Sequence, residues 1–449
     1  MKNSGVEWIG EIPDDWEVRK ILNCLRKRIS DGPHETPKYV ETGIPFISVD
    51  SLNDTEYVDF SFVNRFISDE DYFEYNKKTN LEENDILFSK AATIGKTAIV
   101  HADEKFMVWS PIAILKTNNS LDNRFLYFLL NYDGLITHIS YLGSINTQIN
   151  VGMRELEQAR IPLPPKETQQ HIASYLDKKC SKIEETIQNQ QRVIEKLKAY
   201  KQSLITEAVT GKVKIVNGKA CAEYESYKDS GVEWIGKIPR EWVCVQIKNI
   251  FRFLGGYAFN SEDYVDETEY QILRIGNVKD FKILFDASPV YISKETAFQV
   301  ENFKLRPGYI LFTMTGTRGK KDYFYTHEIT KDDCKKKNLY LNQRVGCLIP
   351  KTDIDSSYFN YLLKDNLIKD SVFLNETGTA NQANIGSEDV MKIKVHCPPK
   401  EAQKEIASYL DKKCTVIDTA IEQKQNLIEK LTEYKKSLIY ECVTGKKAV

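Results

Sequence analysis

The 449-residue chain has little of what usually announces an enzyme, a secreted protein or a membrane protein. Its nine cysteines are odd in number and none forms a Cys-x-x-Cys pair. Neither a disulfide framework nor a zinc site is spelled out, and they read as reduced, mostly packed thiols of a cytoplasmic protein. No apolar run approaches the roughly 20 residues of a membrane helix, and the opening MKNSGVEWIG lacks the basic-then-apolar layout of a secretory signal. His-Glu-x-x-His and Gly-x-Ser-x-Gly are absent, and no Gly-rich loop follows a strand. Gly-Lys-Thr at 95–97 resembles the end of a phosphate-binding loop, but the required first glycine would fall at Lys90. The Pro-Pro stretches lack the flanking residues of an amino-methyltransferase site, and six scattered histidines form no cluster. The expectation is a binder with no catalytic residue, no metal site and no cofactor of its own. A net charge of −2 excludes a uniformly basic surface but leaves room for local basic patches.

What the chain does have is duplication. SGVEWIGEIP at 4–13 returns as SGVEWIGKIP at 230–239, and each copy continues to a matched tryptophan, Trp16 and Trp242. A longer repeat starts with Pro-Pro. Residues 164–213 and 398–447 share PPKExQxxIASYLDKKC at one end and SLIxExVTGK at the other. About 30 of the 50 aligned positions are identical, far beyond coincidence. The order is motif, variable block, long repeat, and then the same three again.

Each long repeat runs about 40 residues without proline or glycine until Gly211 and Gly445, as a single helix would. Apolar residues alternate at three and four. The first copy gives Leu176, Cys180, Ile183, Ile187, Ile194, Leu197 and Leu204, the second Leu410, Cys414, Ile417, Ile421, Ile428, Leu431 and Leu438. Gln190, Lys201, Lys424 and Lys435 are polar occupants of the same stripe. This is a coiled-coil seam along helices of roughly 55–60 Å. The natural partner of each seam is the other copy, packed antiparallel about a pseudo-twofold axis. Packing on its own domain or homodimerisation would also cover it.

The variable blocks mix strand candidates (44–49, 85–90, 96–100, 270–275, 309–314) with helix candidates (123–132, 356–364), which reads as an α/β or mixed α+β domain in each half. DILFSKAATIGK aligns with YILFTMTGTRGK, and NTQINVG with NQANIG, as similar scaffolds with different loops would. Two diverged modules held by a helical spacer make a ruler with two reading heads, and duplex DNA suits a ruler. The loops carry residue types that read bases or hold phosphates. In the first half these are Ser89, Lys90, Thr93, Lys96, Ser144, Asn146, Thr147, Gln148 and Asn150. In the second they are Arg274, Asn277, Thr313, Thr315, Arg318, Lys320, Lys321, Asn342, Gln343, Arg344, Thr379, Asn381, Gln382 and Asn384. A coiled-coil scaffold with two protein-binding modules, or a self-contained nuclease, are the rival readings.

The duplicated order of SGVEWIGxIPxxW, PPKExQxxIASYLDKKC and SLIxExVTGK resembles the specificity subunits of type I restriction-modification systems over essentially the whole chain. The resemblance implies two target-recognition domains (1–163 and 229–397), spacer helices (164–213 and 398–449) and a linker (214–228). Each domain would read one half of a split, asymmetric DNA target, and the antiparallel helices would set the gap. It also implies one such subunit per complex, docking two modification (M) subunits that bring S-adenosylmethionine. Restriction (R) subunits would use ATP and magnesium. A related system with a fused methyltransferase–nuclease partner is a nearby variant. Trp8, Ile9, Trp234 and Ile235 are expected to brace helix ends or to help form the M-subunit sites.

Overall fold

The computed structural model describes residues 1–52, 56–91, 93–101, 105–142, 151–221, 223–279, 282–351, 353–379 and 382–449. The chain forms two compact units, Met1–Gln191 with Gln425–Val449, and Arg192–Lys424. Each therefore takes one variable block and a piece of both long repeats.

Each unit is anchored by the short motif, which folds into a hairpin. Lys2–Asn3 pairs antiparallel with Glu11–Ile12, and Tyr227–Asp229 with Lys237–Pro239. The loop needs two left-handed corners, and glycine fills them in both copies: Gly5 and Gly10 at φ +69° and +70°, Gly231 and Gly236 both at +70°. Ser4 and Ser230 close the loop alike, each donating to the carbonyl and accepting from the N–H two residues on. The segment read as a linker contains a small hairpin of its own, Ile215–Val216 with Lys219–Ala220.

The variable blocks, so unlike in sequence, share one topology. The first builds a four-stranded antiparallel sheet in the order Ser30–Asp31, Ile112–Leu115, Ile86–Ser89, Thr97–Ile99. The second repeats that order with Phe251–Gly255, Val345–Pro350, Ile310–Thr313 and Thr326–Glu328. A second small sheet in each contains one parallel pair, Ile44–Ile47 with Met107–Val108 and Tyr270–Leu273 with Asn338–Leu341. All five sequence-predicted strands and both helices are present, the latter as Asn123–Leu130 and Ser356–Leu362. The central strands Ile86–Ser89 and Ile310–Thr313 are buried along their whole length, which explains their unbroken apolar character. The closing strand of each block returns to its start, Arg160–Leu163 on Glu17–Lys20 and Lys394–Cys397 on Val243–Gln246.

The long repeats are helices Lys166–Val209 and Lys400–Val443, 44 residues each. Their first turns are pinned by one buried glutamine apiece. Gln169 accepts from the Asp122 N–H at 2.7 Å and donates to the Pro164 carbonyl at 2.9 Å. Gln403 does the same with Asp355 at 2.9 Å and Pro398 at 2.8 Å. A buried group left without such a partner costs about 1–3 kcal/mol, which is why PPKExQ stands unchanged in both copies.

The helix ends are equally matched. Gly211 and Gly445 take φ +73° and +72°, and the next N–H reaches back to Glu207 at 3.0 Å and Glu441 at 2.8 Å. A side chain would not fit at either. A Cβ on Gly211 would lie 2.6 Å from Pro239 Cγ and 3.1 Å from Trp242; one on Gly445 would lie 2.7 Å from Pro13 Cγ and 3.1 Å from Trp16. The IPxxW segment of the motif thus fits the TGK helix end, once in each unit. Lys446 Nζ also donates to the Ile9 carbonyl at 2.5 Å.

Every predicted seam residue is buried or half-buried: Leu176, Ile187, Ile194, Leu410, Ile417, Ile428 and Leu438 are buried, and Ile183, Leu197, Leu204, Ile421 and Leu431 half-buried. In the first unit Leu176 and Cys180 share a core with Leu438, Ile439, Cys442 and Val443. In the second, Ile205, Ala208 and Val209 share one with Ile406, Ala407, Leu410 and Cys414. Two of the four polar positions make ion pairs with the facing helix, Lys435 with Glu184 at 2.7 Å in the first unit and Lys201 with Asp418 at 2.6 Å in the second. These pairs are each other's image under the repeat, since Lys201 aligns with Lys435 and Glu184 with Asp418.

Candidate nucleic-acid interface

In the second unit the polar candidates converge at the ends of neighbouring strands. The turn Asn342–Arg344 is held by Asn342 N–H on the Leu273 carbonyl (3.2 Å) and Gln343 N–H on the Tyr257 carbonyl (2.9 Å). Arg344 is exposed with a left-handed backbone, φ 69°, an uncommon posture for a long side chain. Gly256 lies under this turn, where any Cβ would overlap the Asn342 carbonyl. The Arg344 carbonyl accepts the Met314 N–H (3.1 Å), and Met314 in turn accepts from Ile385 (3.0 Å). A three-stranded sheet continues the edge, Thr315–Gly316 on Gln382–Asn384 on Thr377–Thr379. It sets Thr315 opposite Asn384 and Thr379 opposite Gln382. Arg318 is exposed and donates to the Gly378 carbonyl at 3.2 Å. Thr315, Arg318, Arg344, Gln343, Asn342, Thr379, Gln382 and Asn384 therefore share one edge, and Arg274 adjoins it next to Leu273.

Other candidates are used inside the fold. Asn277 is buried, donating to the Leu284 and Ala287 carbonyls and accepting from the Arg274 N–H. Arg274 itself is half-buried and donates to the Ser288 carbonyl at 2.5 Å. Thr313 is buried and accepts the Tyr325 N–H at 3.0 Å. Lys321 pairs with Asp370 at 2.6 Å, while Lys320 is exposed beside it. Tyr257, which the sequence reading did not single out, is 38% exposed next to Gln343. No spacing rule links positions 257 and 343, and only the fold brings them together.

The corresponding edge of the first unit uses the same backbone bonds. Lys90 N–H donates to the Pro111 carbonyl (2.8 Å), the Lys90 carbonyl accepts from Val151 (2.9 Å), and Trp109 N–H reaches Ile47 (3.0 Å). Gly32, like Gly256, lies where a Cβ would overlap a neighbouring carbonyl, here of Val108. Fold position by fold position, Lys90 stands where Met314 stands and Trp109–Pro111 where Asn342–Arg344 do. Ser89 is buried, and its hydroxyl staples the loop by donating to the Thr93 carbonyl (2.5 Å) and accepting the Lys96 N–H (2.8 Å). Thr93 is exposed and Lys96 half-buried. Lys90 pairs with Asp31 at 3.0 Å. Ser144, Asn146, Thr147, Gln148, Asn150 and Asn381 lie outside the described residues.

Among the described residues no group of three or more His, Cys, Asp or Glu could hold a metal ion, and no helix is long and apolar enough to cross a membrane. All nine cysteines are free, and only Cys221 is exposed. Of the motif residues, Ile9 is buried, while Trp8, Trp234 and Ile235 are half-buried against the cores of their units.

A repeated mixed α/β scaffold whose polar edges differ defines a two-module recognition protein. The type I restriction modification DNA specificity domain matches residues 13–196 and again 239–432. The chain belongs to this family, the DNA-recognition subunits of type I restriction-modification systems, which have no catalytic activity of their own. It is 26% identical over 98% of its length to the putative type I restriction enzyme MjaX specificity subunit of Methanocaldococcus jannaschii, 95% of which is covered. It is 27% identical over 97% to the MjaVIII specificity subunit of the same organism, with 93% covered. The fold matches a chain solved in work on complex assembly and conformational transition of the type I R-M system. That match has a TM-score of 0.68 at 12% identity, covering 97% of this chain and 100% of the other.

Proposed function

We propose that the two units are target-recognition domains, each reading one half of a bipartite, asymmetric DNA sequence, while the two long helices set the gap as an antiparallel coiled coil. The observation that carries this reading is a pair of edges with the same backbone hydrogen bonds and different side chains. Lys90 and Trp109–Pro111 occupy in the first unit what Met314 and Asn342–Arg344 occupy in the second. Identical edges would read identical half-sites; these read different ones. The mirrored ion pairs Glu184–Lys435 and Lys201–Asp418 support an antiparallel register with pseudo-twofold symmetry.

The parts that stayed alike serve a partner present twice. Lys196, Tyr200, Lys430 and Tyr434 are all exposed and yet match between copies, with Tyr200 55% and Tyr434 51% exposed. Two equivalent surfaces suit two identical modification subunits docking on one specificity subunit. Those subunits bring S-adenosylmethionine, and restriction subunits bring ATP and magnesium chemistry, in the cytoplasm.

Methylome sequencing of a cell carrying this chain and its modification partner tests the reading. A split adenine-methylated motif with two unlike halves is expected. A continuous or palindromic motif would overturn it.

A further inference from the structure

We propose that the first unit carries a preformed seat for a backbone phosphate of duplex DNA, built where Lys78, Lys90 and His34 converge on the buried carboxylate of Asp31. The inference rests on the DNA reading above and assigns three residues that the sequence did not single out, Asp31, His34 and Lys78.

Asp31 lies on the strand Ser30–Asp31 and is fully buried. Lys78, at the end of helix Asp69–Thr79, reaches its Oδ1 at 2.8 Å. Lys90 Nζ lies 3.0 Å and His34 Nε2 3.2 Å from its Oδ2. Burial alone would push the Asp31 carboxyl up; hydrogen bonds and charge from Lys78 and Lys90 together outweigh it, so the carboxyl sits below its ordinary range and stays ionised. One carboxylate cannot balance two ammonium groups, so the cluster keeps a net positive charge whatever the state of the imidazole. Lys78 and His34 face solvent, with side chains 54% and 67% exposed, while Lys90 is only 16% exposed.

A scaffold ion pair needs one cation. Here a buried anion gathers three basic groups from separate parts of the chain and holds them to one side. A lysine on a loose stem loses rotamer freedom when it grips a ligand, and these have already lost it, which is the meaning of preorganisation. The place is also right. Lys90 leaves the sheet at the point where Met314 enters the polar edge of the second unit. At the head of the adjoining turn, the exposed Arg65 guanidinium lies 5.8 Å over Trp109 and 5.4 Å over Tyr39. In the second unit Gly255 occupies the position of Asp31, so this seat belongs to the first unit alone.

The test is binding of the full-length chain to a fluorescein-labelled duplex of randomised sequence, read by anisotropy from 50 to 200 mM salt. Each phosphate contact contributes about 0.9 to the slope of log affinity against log salt. Lys78→Ala should lower the slope by about 1, worth about three- to fourfold in the affinity drop across this range, and adding Lys90→Ala should lower it no further, because the seat holds one phosphate. Lys77→Ala, one position from Lys78 but paired with Glu74, should leave the slope unchanged. Asp31→Asn should weaken binding although it makes the chain more positive, because the seat loses its anchor; tighter binding would overturn the proposal. Thermal melts separate misfolding of that variant, and the exposed Lys78 variant does not depend on it. An unaltered slope in the lysine variants, with wild type binding normally, overturns the seat alone. Wild type showing no salt-dependent binding overturns the DNA reading together with it.

Discussion

At the scale of single residues, the two units differ most tellingly at His396. The equivalent position in the first unit is Pro162. His396 is buried and stacked on Trp242 with ring centroids 6.0 Å apart, beside the end of the first long helix. Burial drives its pKa down to about 4, with the Val209 carbonyl a minor counterweight. The folded chain then binds fewer protons than the unfolded one between about pH 6.5 and 4. The stabilisation is complete above the unfolded value and is lost as pH falls through this window, at about 1.4 kcal/mol per unit and about 3 kcal/mol in all. Urea melts of wild type and His396→Leu at pH 7, 5.5 and 4.5 should show wild type losing about 2 kcal/mol more than the variant by pH 4.5. Parallel losses would disprove the assignment. Residues of this kind are hard to read from sequence. His396 is one of six scattered histidines, and nothing local distinguishes it. Asp31, Lys78 and Lys90 are likewise joined only by strand order and the end of a helix. The loop position of Gln343 and Arg344 was legible because turns concentrate recognisable polar types, whereas Ser89, Thr313 and Asn277 are the same types spent on building the fold itself.

Among the elements, the long helices were the most legible, because 44 residues of periodic pattern outvote any single propensity. Their limits were readable too, from Pro165 and Pro399 before and Gly211 and Gly445 after. The helix Asp69–Thr79 was not foreseen. Its sequence DEDYFEYNKKT has no aliphatic stripe; Tyr72 and Tyr75 pack against Phe46, Ile67 and Met107, and the helix is capped by Ser68 on the Asp71 N–H (3.1 Å) with flanking charges of the favourable sign, acidic first and basic last. The proposed role of the long pair as a ruler makes a dimensional prediction. In the register set by Lys201 and Asp418, Ala420 lies opposite Ala199. Four residues of helix added after Ala199 together with four after Ala420 preserve the seam and lengthen the pair by about 6 Å. The methylated motif should keep both halves and gain one or two base pairs of gap, as read by methylome sequencing. An unchanged gap would argue that the helices only dock partners.

For the whole molecule, duplication and divergence divide the labour. The side-chain contacts that repeat join the motif and the helices, Gln169 and Gln403, Gly211 on Pro239 and Gly445 on Pro13, and the strand pairs that close each block repeat with them. Many of the features that differ, Lys90 and Trp109–Pro111 against Met314 and Asn342–Arg344 among them, sit on one edge of each sheet. The sequence made the repeats visible and pointed to similar scaffolds in the two blocks, but not to their strand order, since that order is kept by buried apolar character that many side chains supply equally well. A block can therefore be exchanged without touching the parts that repeat. Replacing residues 17–160 with the block of another family member carries the strand Glu17–Lys20 and nearly all of the first unit's variable edge with it. The motif hairpin, both helices and the second unit's edge remain. The expected outcome is a methylated motif in which one half is new and the other half, with the gap, is as before. Two altered halves would mean that the units read DNA jointly, and no altered half would place recognition outside the edge on which Lys90 and Trp109 stand.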